Sequence, residues 1–325
     1  MSEPADASTF SIAAAGQCHR FSHRAMACVW EVWIPGHPHD YAQDAAQAAF
    51  DEVDRLEEEL SRFVQMGDVA RINGLEEDQS VVVGADTFEC LELAAKVHVD
   101  TSGAFDATVQ SSPAARSIPC MELDRSTHRV TARTDRLHVD LGGIGKGYAL
   151  DQMVRLLGDW SIEAAIVHSG QSTLYALGGV PQHAQWTVGI RNPDEQSVSL
   201  GYVDMRNQAL AGSGMSLHGA HIVDPRTGGP AGGASGAWAL ASTSALADAL
   251  STAFMVMSGA EMDAYFARHP DVAGLRWIRD HGDGGAAGVS RRSSPSAASS
   301  RAIAPQASGR LVRYGAGLSF VEPKE

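Results

Sequence analysis

A chain of 325 residues, 44% of them hydrophobic, can bury one large core, and nothing in its middle has the composition of a linker between independent domains. A formal net charge of −14 argues against nucleic acid as a partner, because a phosphate backbone is gripped by clustered Lys and Arg. Cys18, Cys28, Cys90 and Cys120 form no CxxC pair, which removes zinc-ribbon and thioredoxin-like readings, and no apolar run approaches the roughly 20 residues of a spanning helix, so no membrane is expected.

Residues 1–20 are small and polar and read as a disordered leader. Glu3 and Asp6 stand where an export signal carries basic residues, so the expectation is a cytoplasmic protein. Residues 26–34 (MACVWEVWI) are rich in aromatic and β-branched side chains and predict a first strand. Across 40–63, Phe50, Val53, Leu56 and Leu60 recur at helical spacing among acidic residues, and 86–99 repeats the pattern, so both predict helices with a solvated acidic face. A strand is expected over 136–141, then a glycine-rich turn over 142–147 and a helix over 148–157. Residues 164–168, 185–191 and 199–204 read as strands, 244–257 as a helix and 272–279 as a strand. The composition of 281–309 collapses into Gly, Ser, Ala, Pro and Arg, which predicts a flexible low-complexity insertion, with 310–325 returning as a final strand of the same domain. The expected class is α+β, with 21–280 as the body of one domain.

Three stretches carry chemistry. The first, VDLGGIGKGYA over 139–149, is a glycine-rich turn opening a helix, where backbone groups can approach a phosphate and the helix N-terminus favours an anion. The same glycines would equally serve a tight turn, and the Lys-Ser/Thr pair of a Walker loop is absent. The second is HIVDPRTG over 221–228, a polar loop in which His221 could move protons near neutral pH or be a structural histidine. The third lies in the helix over 244–257, where Asp248, Ser251 and Thr252 stand at i, i+3 and i+4 on one face. One carboxylate and two hydroxyls make a hard-oxygen set suited to Mg²⁺, or simply the polar side of a helix.

In that order, and together with TSGAFDAT over 101–108, these segments closely resemble the ApbE family of FAD:protein FMN transferases, over about 25–274. The resemblance implies a two-lobed single domain holding FAD in a cleft between the lobes, with Mg²⁺ at the pyrophosphate. It places Met26, Phe63, Ala104, Phe105, Asp106, Asp140, Lys146 and Ile222 at the cofactor. It gives the metal Asp248, Ser251, Thr252 and the carbonyl of Gly143. His221 is the candidate base for the acceptor hydroxyl, with Asp248 as the competing assignment. The implied reaction attaches the FMN half of FAD to a Ser or Thr of an acceptor protein and releases AMP. The competing expectations are an FAD-binding protein without transfer and an FAD pyrophosphatase releasing FMN and AMP.

The chain also departs from the family. Met26-Ala27-Cys28 stands where Met-Gly-Thr is usual, Gly170-Gln171-Ser172-Thr173 where a Gly-Gly-Asn or Gly-Gly-Asp turn is common, and the stretch over 211–217 lacks the aromatic and arginine that often follow its Ser-Gly.

Overall fold

The computed structural model describes residues 10–12, 18–109, 111, 120–170, 172–180, 184–214, 222–232, 234–279, 309–315 and 319–323. In chain order the elements are β1 (Phe10–Ile12), β2 (Cys18–Ala25), β3 (Cys28–Pro35), α1 (His39–Leu60), α2 (Asp68–Asn73), β4 (Ser80–Val82) and α3 (Ala85–Asp100). They continue with β5 (Met121–Asp124), β6 (Arg129–Ala132), α4 (Gly145–Asp159), β7 (Ala165–Ser169), β8 (Thr173–Leu177), β9 (Trp186–Arg191), β10 (Ser199–Met205) and β11 (Gln208–Gly214). Last come β12 (Gly236–Ala241), α5 (Ser244–Val256), α6 (Gly259–Arg268), β13 (Ala273–Arg279), β14 (Gly309–Tyr314) and β15 (Phe320–Val321).

An eight-stranded antiparallel sheet, ordered β14-β13-β12-β11-β8-β7-β3-β2, forms the centre of the fold. Helices α1, α4 and α5 cover one face, and the four-stranded sheet β1-β9-β10-β15 covers the other. A third, three-stranded sheet has the order β4-β6-β5.

Side-chain size sorts the two faces. Along β12 every residue is buried: Ala237 and Ala239 turn to the helices, while Trp238 and Leu240 turn to the second sheet among Trp33, Trp186 and Trp277. Small residues on the helical face let α5 lie close to the strands, and large ones fill the wider space between the sheets, which stack about 10 Å apart. Each large side chain fully buried there stabilises by roughly 1.5–3 kcal/mol.

Helix α5 is therefore enclosed nearly all round. Ala245, Ala249, Leu250, Ala253 and Phe254 are buried, and so are the polar Ser244, Asp248 and Ser251. A helix buried on every side can carry polar residues only where each finds a partner, which makes its polar face informative.

Several elements differ from expectation. Residues 26–34 are not one strand, because Met26 and Ala27 form the tight turn between β2 and β3. Residues 1–20 are not leader throughout: β1 pairs with β9, and β2 begins at Cys18 and pairs along its whole length with β3. The segment 136–141 belongs to no strand, with residue 136 in a turn. Its backbone is satisfied otherwise, by Asn73 on Val139 (2.6 and 2.9 Å), Ser111 on His138 (2.8 and 3.2 Å) and the Ala107 carbonyl on Asp140 N (2.8 Å). The expected final strand is two, with β14 on β13 and β15 on β10, in different sheets. Of the expected 281–309 insertion, all but Gly309 lies outside the described residues.

Candidate active site

The polar face of α5 meets three other elements. Asp248 is 5% exposed, and both of its carboxylate oxygens are held: Oδ1 accepts from Thr173 Oγ1 of β8 (3.0 Å) and Oδ2 from the Gly147 N–H of α4 (3.2 Å). Ser251 Oγ lies 2.9 Å from Ser213 Oγ of β11, which also lies 3.4 Å from Thr252 Oγ1. Ser251 and Thr252 each donate back to the Asp248 carbonyl, at 2.9 and 3.4 Å. The result is a cluster of one carboxylate and four hydroxyls, all hard-oxygen donors.

Two glycines bring the 139–149 segment onto this face. A Cβ on Gly147 would stand 2.3 Å from the Ser244 carbonyl oxygen and 2.7 Å from Ala245 Cα, so only glycine lets α4 pack this closely on α5. A Cβ on Gly143 would stand 3.3 Å from the Phe105 ring and 3.5 Å from Thr252 Oγ1, which puts Gly143 between the hydroxyl cluster and the 101–108 segment.

The other side of the same segment opens into a cavity of 170 Å³, whose lining includes Met26, Glu57, Arg62, Phe63, Asp140 and Lys146. Asp140 bridges it, with Oδ1 accepting from Gly142 N (2.9 Å) and Oδ2 paired with Arg62 Nε (3.2 Å). Lys146 Nζ donates to the Gly142 carbonyl (3.0 Å), and the Arg62 guanidinium lies over the Phe63 ring, which is 78% exposed at the mouth. Met26 and Ala27 adopt left-handed φ values of 47° and 58°, and Met26 N donates to Glu57 Oε2 at 2.7 Å. Beside this turn, burial pushes the Cys28 thiol pKa up while Lys146 pulls it down, so the net shift favours the neutral thiol.

Ala104, Phe105 and Asp106 are all buried. Asp106 Oδ1 accepts from the Thr108 amide and hydroxyl, both at 2.7 Å, whereas Oδ2 is buried with no hydrogen-bond partner among the described residues. His98 Nδ1 lies 4.0 Å from it and is engaged with the Phe105 carbonyl at 3.0 Å. A buried carboxylate oxygen left without a donor is costly, and it marks a place where a ligand can supply one.

The loop over 222–230 reaches the same segment, because the Arg226 stem lies 3.5 Å from where a Gly103 Cβ would be. Asp224 fixes that arginine through bonds of 2.8 and 2.9 Å, and the Ile222 carbonyl accepts from Ala231 N at 2.8 Å. His221 lies outside the described residues.

Of the expected site residues, Asp248, Ser251, Thr252 and Gly143 thus share one contact network, and Met26, Phe63, Asp140 and Lys146 share one cavity. Thr173, Ser213, Glu57 and Arg62 were not foreseen. Thr173 and Ser213 fall in the two stretches that depart from the family, and no local spacing ties them to Asp248 or Ser251, 75 and 38 residues away. Among the described residues, no group of three or more His, Cys, Asp or Glu is placed to hold a metal. A cation here would rest on a single carboxylate, with hydroxyls, a carbonyl, water and ligand phosphate completing its shell, an arrangement Mg²⁺ tolerates.

Residues 26–275 match the ApbE family. The chain is 23% identical over 242 residues to an FAD:protein FMN transferase of Escherichia coli K12, covering 64% of this chain and 69% of that protein. It is 31% identical over 167 residues to one of Treponema pallidum, covering 46% of each. The fold matches the crystal structure of an ApbE protein from Thermotoga maritima with a TM-score of 0.71 at 24% identity, covering 80% of this chain and 94% of that one. It also matches the apo flavinyl transferase ApbE of Pseudomonas stutzeri with a TM-score of 0.71 at 22% identity, covering 82% and 92%.

Proposed function

The chain belongs to the ApbE family, and we propose that it is an FAD:protein FMN transferase, which moves the FMN half of FAD onto a Ser or Thr hydroxyl of an acceptor protein and releases AMP. The observation that carries this reading is the position of the 139–149 segment. One side of it meets the Asp248, Ser251 and Thr252 face through Gly143 and Gly147, and the other lines the cavity of Met26, Phe63 and Lys146.

On this reading FAD lies along that segment, with its ring system toward Met26 and Phe63. The orphaned Asp106 Oδ2 accepts from a donor on FAD, and Lys146 faces its phosphates. Asp248, Ser251, Thr252 and the Gly143 carbonyl would hold Mg²⁺, and the hard-oxygen donor set fits that ion. Mg²⁺ would supply neutralisation of the charge that develops on the phosphate oxygens. Thr173 and the Gly147 amide fix the Asp248 carboxylate in one orientation, so little reorganisation is needed when charge builds up. His221 takes the proton from the acceptor hydroxyl as the hydroxyl oxygen bonds to the FMN phosphorus and the bond from that phosphorus to the AMP oxygen breaks. Among the described residues no helix is long and apolar enough to cross a membrane.

The test incubates the purified protein with FAD, Mg²⁺ and a lysate of its own cells. A band that fluoresces as flavin on a denaturing gel, with AMP released in proportion, is the expected result. Free FMN and AMP without a band would make the protein a pyrophosphatase, and bound, uncleaved FAD with a supplied acceptor would make it a flavin carrier. Asp248→Ala removes the single carboxylate of the proposed metal face and should abolish both turnover and Mg²⁺ dependence, whereas unchanged turnover would refute the metal assignment.

A further inference from the structure

Strands β13 and β14 carry a second cavity, of 590 Å³, at the far end of the helical face. Because Leu275 and Trp277 point into the core between the sheets, Arg276 and Ile278 point to the other side, and Arg310, Val312 and Tyr314 line the same space from β14. The end of α5 and the first turn of α6 roof it with Val256, Met257 and Gly259.

The charges on its walls do not cancel. Arg226 is fully engaged by Asp224 and Glu261. Arg276 is 2% exposed, and its Nε is buried without a hydrogen-bond partner among the described residues. Arg310 is exposed on the rim, and no ion pair involves it among the described residues. Burial pulls the Arg276 guanidinium below its ordinary pKa, with the Tyr314 hydroxyl and the Glu261 carboxylate opposing the shift. Glu261 is the one carboxylate on a wall that carries three arginines, and it already holds Arg226, so the buried Arg276 N–H is left for a ligand acceptor to complete. The α6 N-terminus adds little, since Ser258 and Glu261 already cap one another.

We infer that this cavity binds a small phosphorylated organic molecule, with the phosphate between Arg276 and Arg310 and the apolar body against Val256, Ile278 and Tyr314. Guanidinium groups match phosphate oxygens with paired, charge-assisted hydrogen bonds, and a lining of three arginines against one glutamate, with apolar side chains beside them, favours an anion with an apolar body. The site is separate from the flavin cavity and does not depend on the transferase reading.

The experiment is calorimetric titration of the full chain, free of FAD and Mg²⁺, with AMP, inorganic phosphate and adenosine. AMP should bind more tightly than phosphate, and adenosine should give no heat. Arg276→Gln and Arg310→Gln should each weaken AMP by about tenfold or more, the worth of a lost charge-assisted contact. If Arg276→Gln fails to fold, the exposed Arg310 decides alone. No heat from AMP or phosphate at millimolar concentrations would overturn the assignment, as would AMP binding that Arg310→Gln leaves unchanged, since that belongs to the cofactor cavity. Equal affinity for phosphate and AMP would overturn the organic body.

Discussion

Thr173 Oγ1 donates a 3.0 Å hydrogen bond to Asp248 Oδ1, joining the first residue of β8 to the buried face of α5. Both residues are enclosed, so the carboxylate cannot replace this donor with bulk water. Thr173→Val keeps the shape and removes the donor, leaving a buried acceptor unsatisfied at about 1–3 kcal/mol. The Mg²⁺ concentration for half-maximal turnover should rise about tenfold, and Thr173→Ser should restore it. A loss of thermal stability with unchanged Mg²⁺ dependence would make Thr173 a structural residue only.

The β2–β3 turn holds a second, opposite case. Ala25 pairs with Cys28, so Met26 and Ala27 alone reverse the chain, and both have positive φ, as a two-residue hairpin turn of this hand demands. Ala27 stands where the family usually has glycine, and a left-handed alanine costs roughly 1 kcal/mol. Ala27→Gly should therefore stabilise the protein by about 1 kcal/mol, read as a higher urea midpoint at unchanged slope. An unchanged midpoint would mean the turn at residue 27 is not left-handed in solution.

What the sequence could convey follows from the range of each interaction. The i, i+3, i+4 spacing of Asp248, Ser251 and Thr252 is local and was legible, as were α1 and α3 from their apolar periodicity. The glycine-rich segment was legible as a turn but left two meanings open. The contact of Gly147 with the Ser244 carbonyl shows that close helix packing is one reason for glycine there, and a sequence read locally contains no sign of it. Strands β11 and β12, QALAGSG and GAWALA, are poor in β-branched residues and become strands because both faces are covered. The reverse holds for 136–141, whose pattern suits a strand but whose backbone is taken by Asn73 and Ser111. The cavity residues Met26, Phe63 and Lys146 were placed together only by the family resemblance, since no spacing rule links positions so far apart.

Asp151 caps the start of α5, accepting from Ser244 N at 2.7 Å and Ala245 N at 2.9 Å. Burial outweighs those bonds and pushes its pKa up to about 6. An acid whose folded pKa lies above its unfolded value binds more protons when folded between the two, so its contribution to stability falls as pH rises from about 4 to about 6. Asp151→Asn cannot titrate. Relative to the parent it should gain stability over that interval, by at most about 3 kcal/mol, whatever constant amount the lost cap bond costs. Urea midpoints of both proteins at the two ends of the interval measure it, and a difference independent of pH would show that Asp151 titrates normally.

His221 is the remaining assignment, and the loop it opens is the reason to test it by separating binding from chemistry. Asp224 locks Arg226, whose stem lies against Gly103, so the loop borders the segment that carries Asp106. If His221 takes the proton from the acceptor hydroxyl, His221→Ala should lower the transfer rate by about 10²–10⁴, the usual worth of a general base, with FAD affinity falling far less. The parent rate should also drop on the acid side as the imidazole gains its proton, and the variant should lose that limb. Parallel loss of transfer and FAD binding would make His221 a cofactor contact. A retained acid limb would move the base to Asp248, whose carboxylate would then have to act while holding both Thr173 and the Gly147 amide.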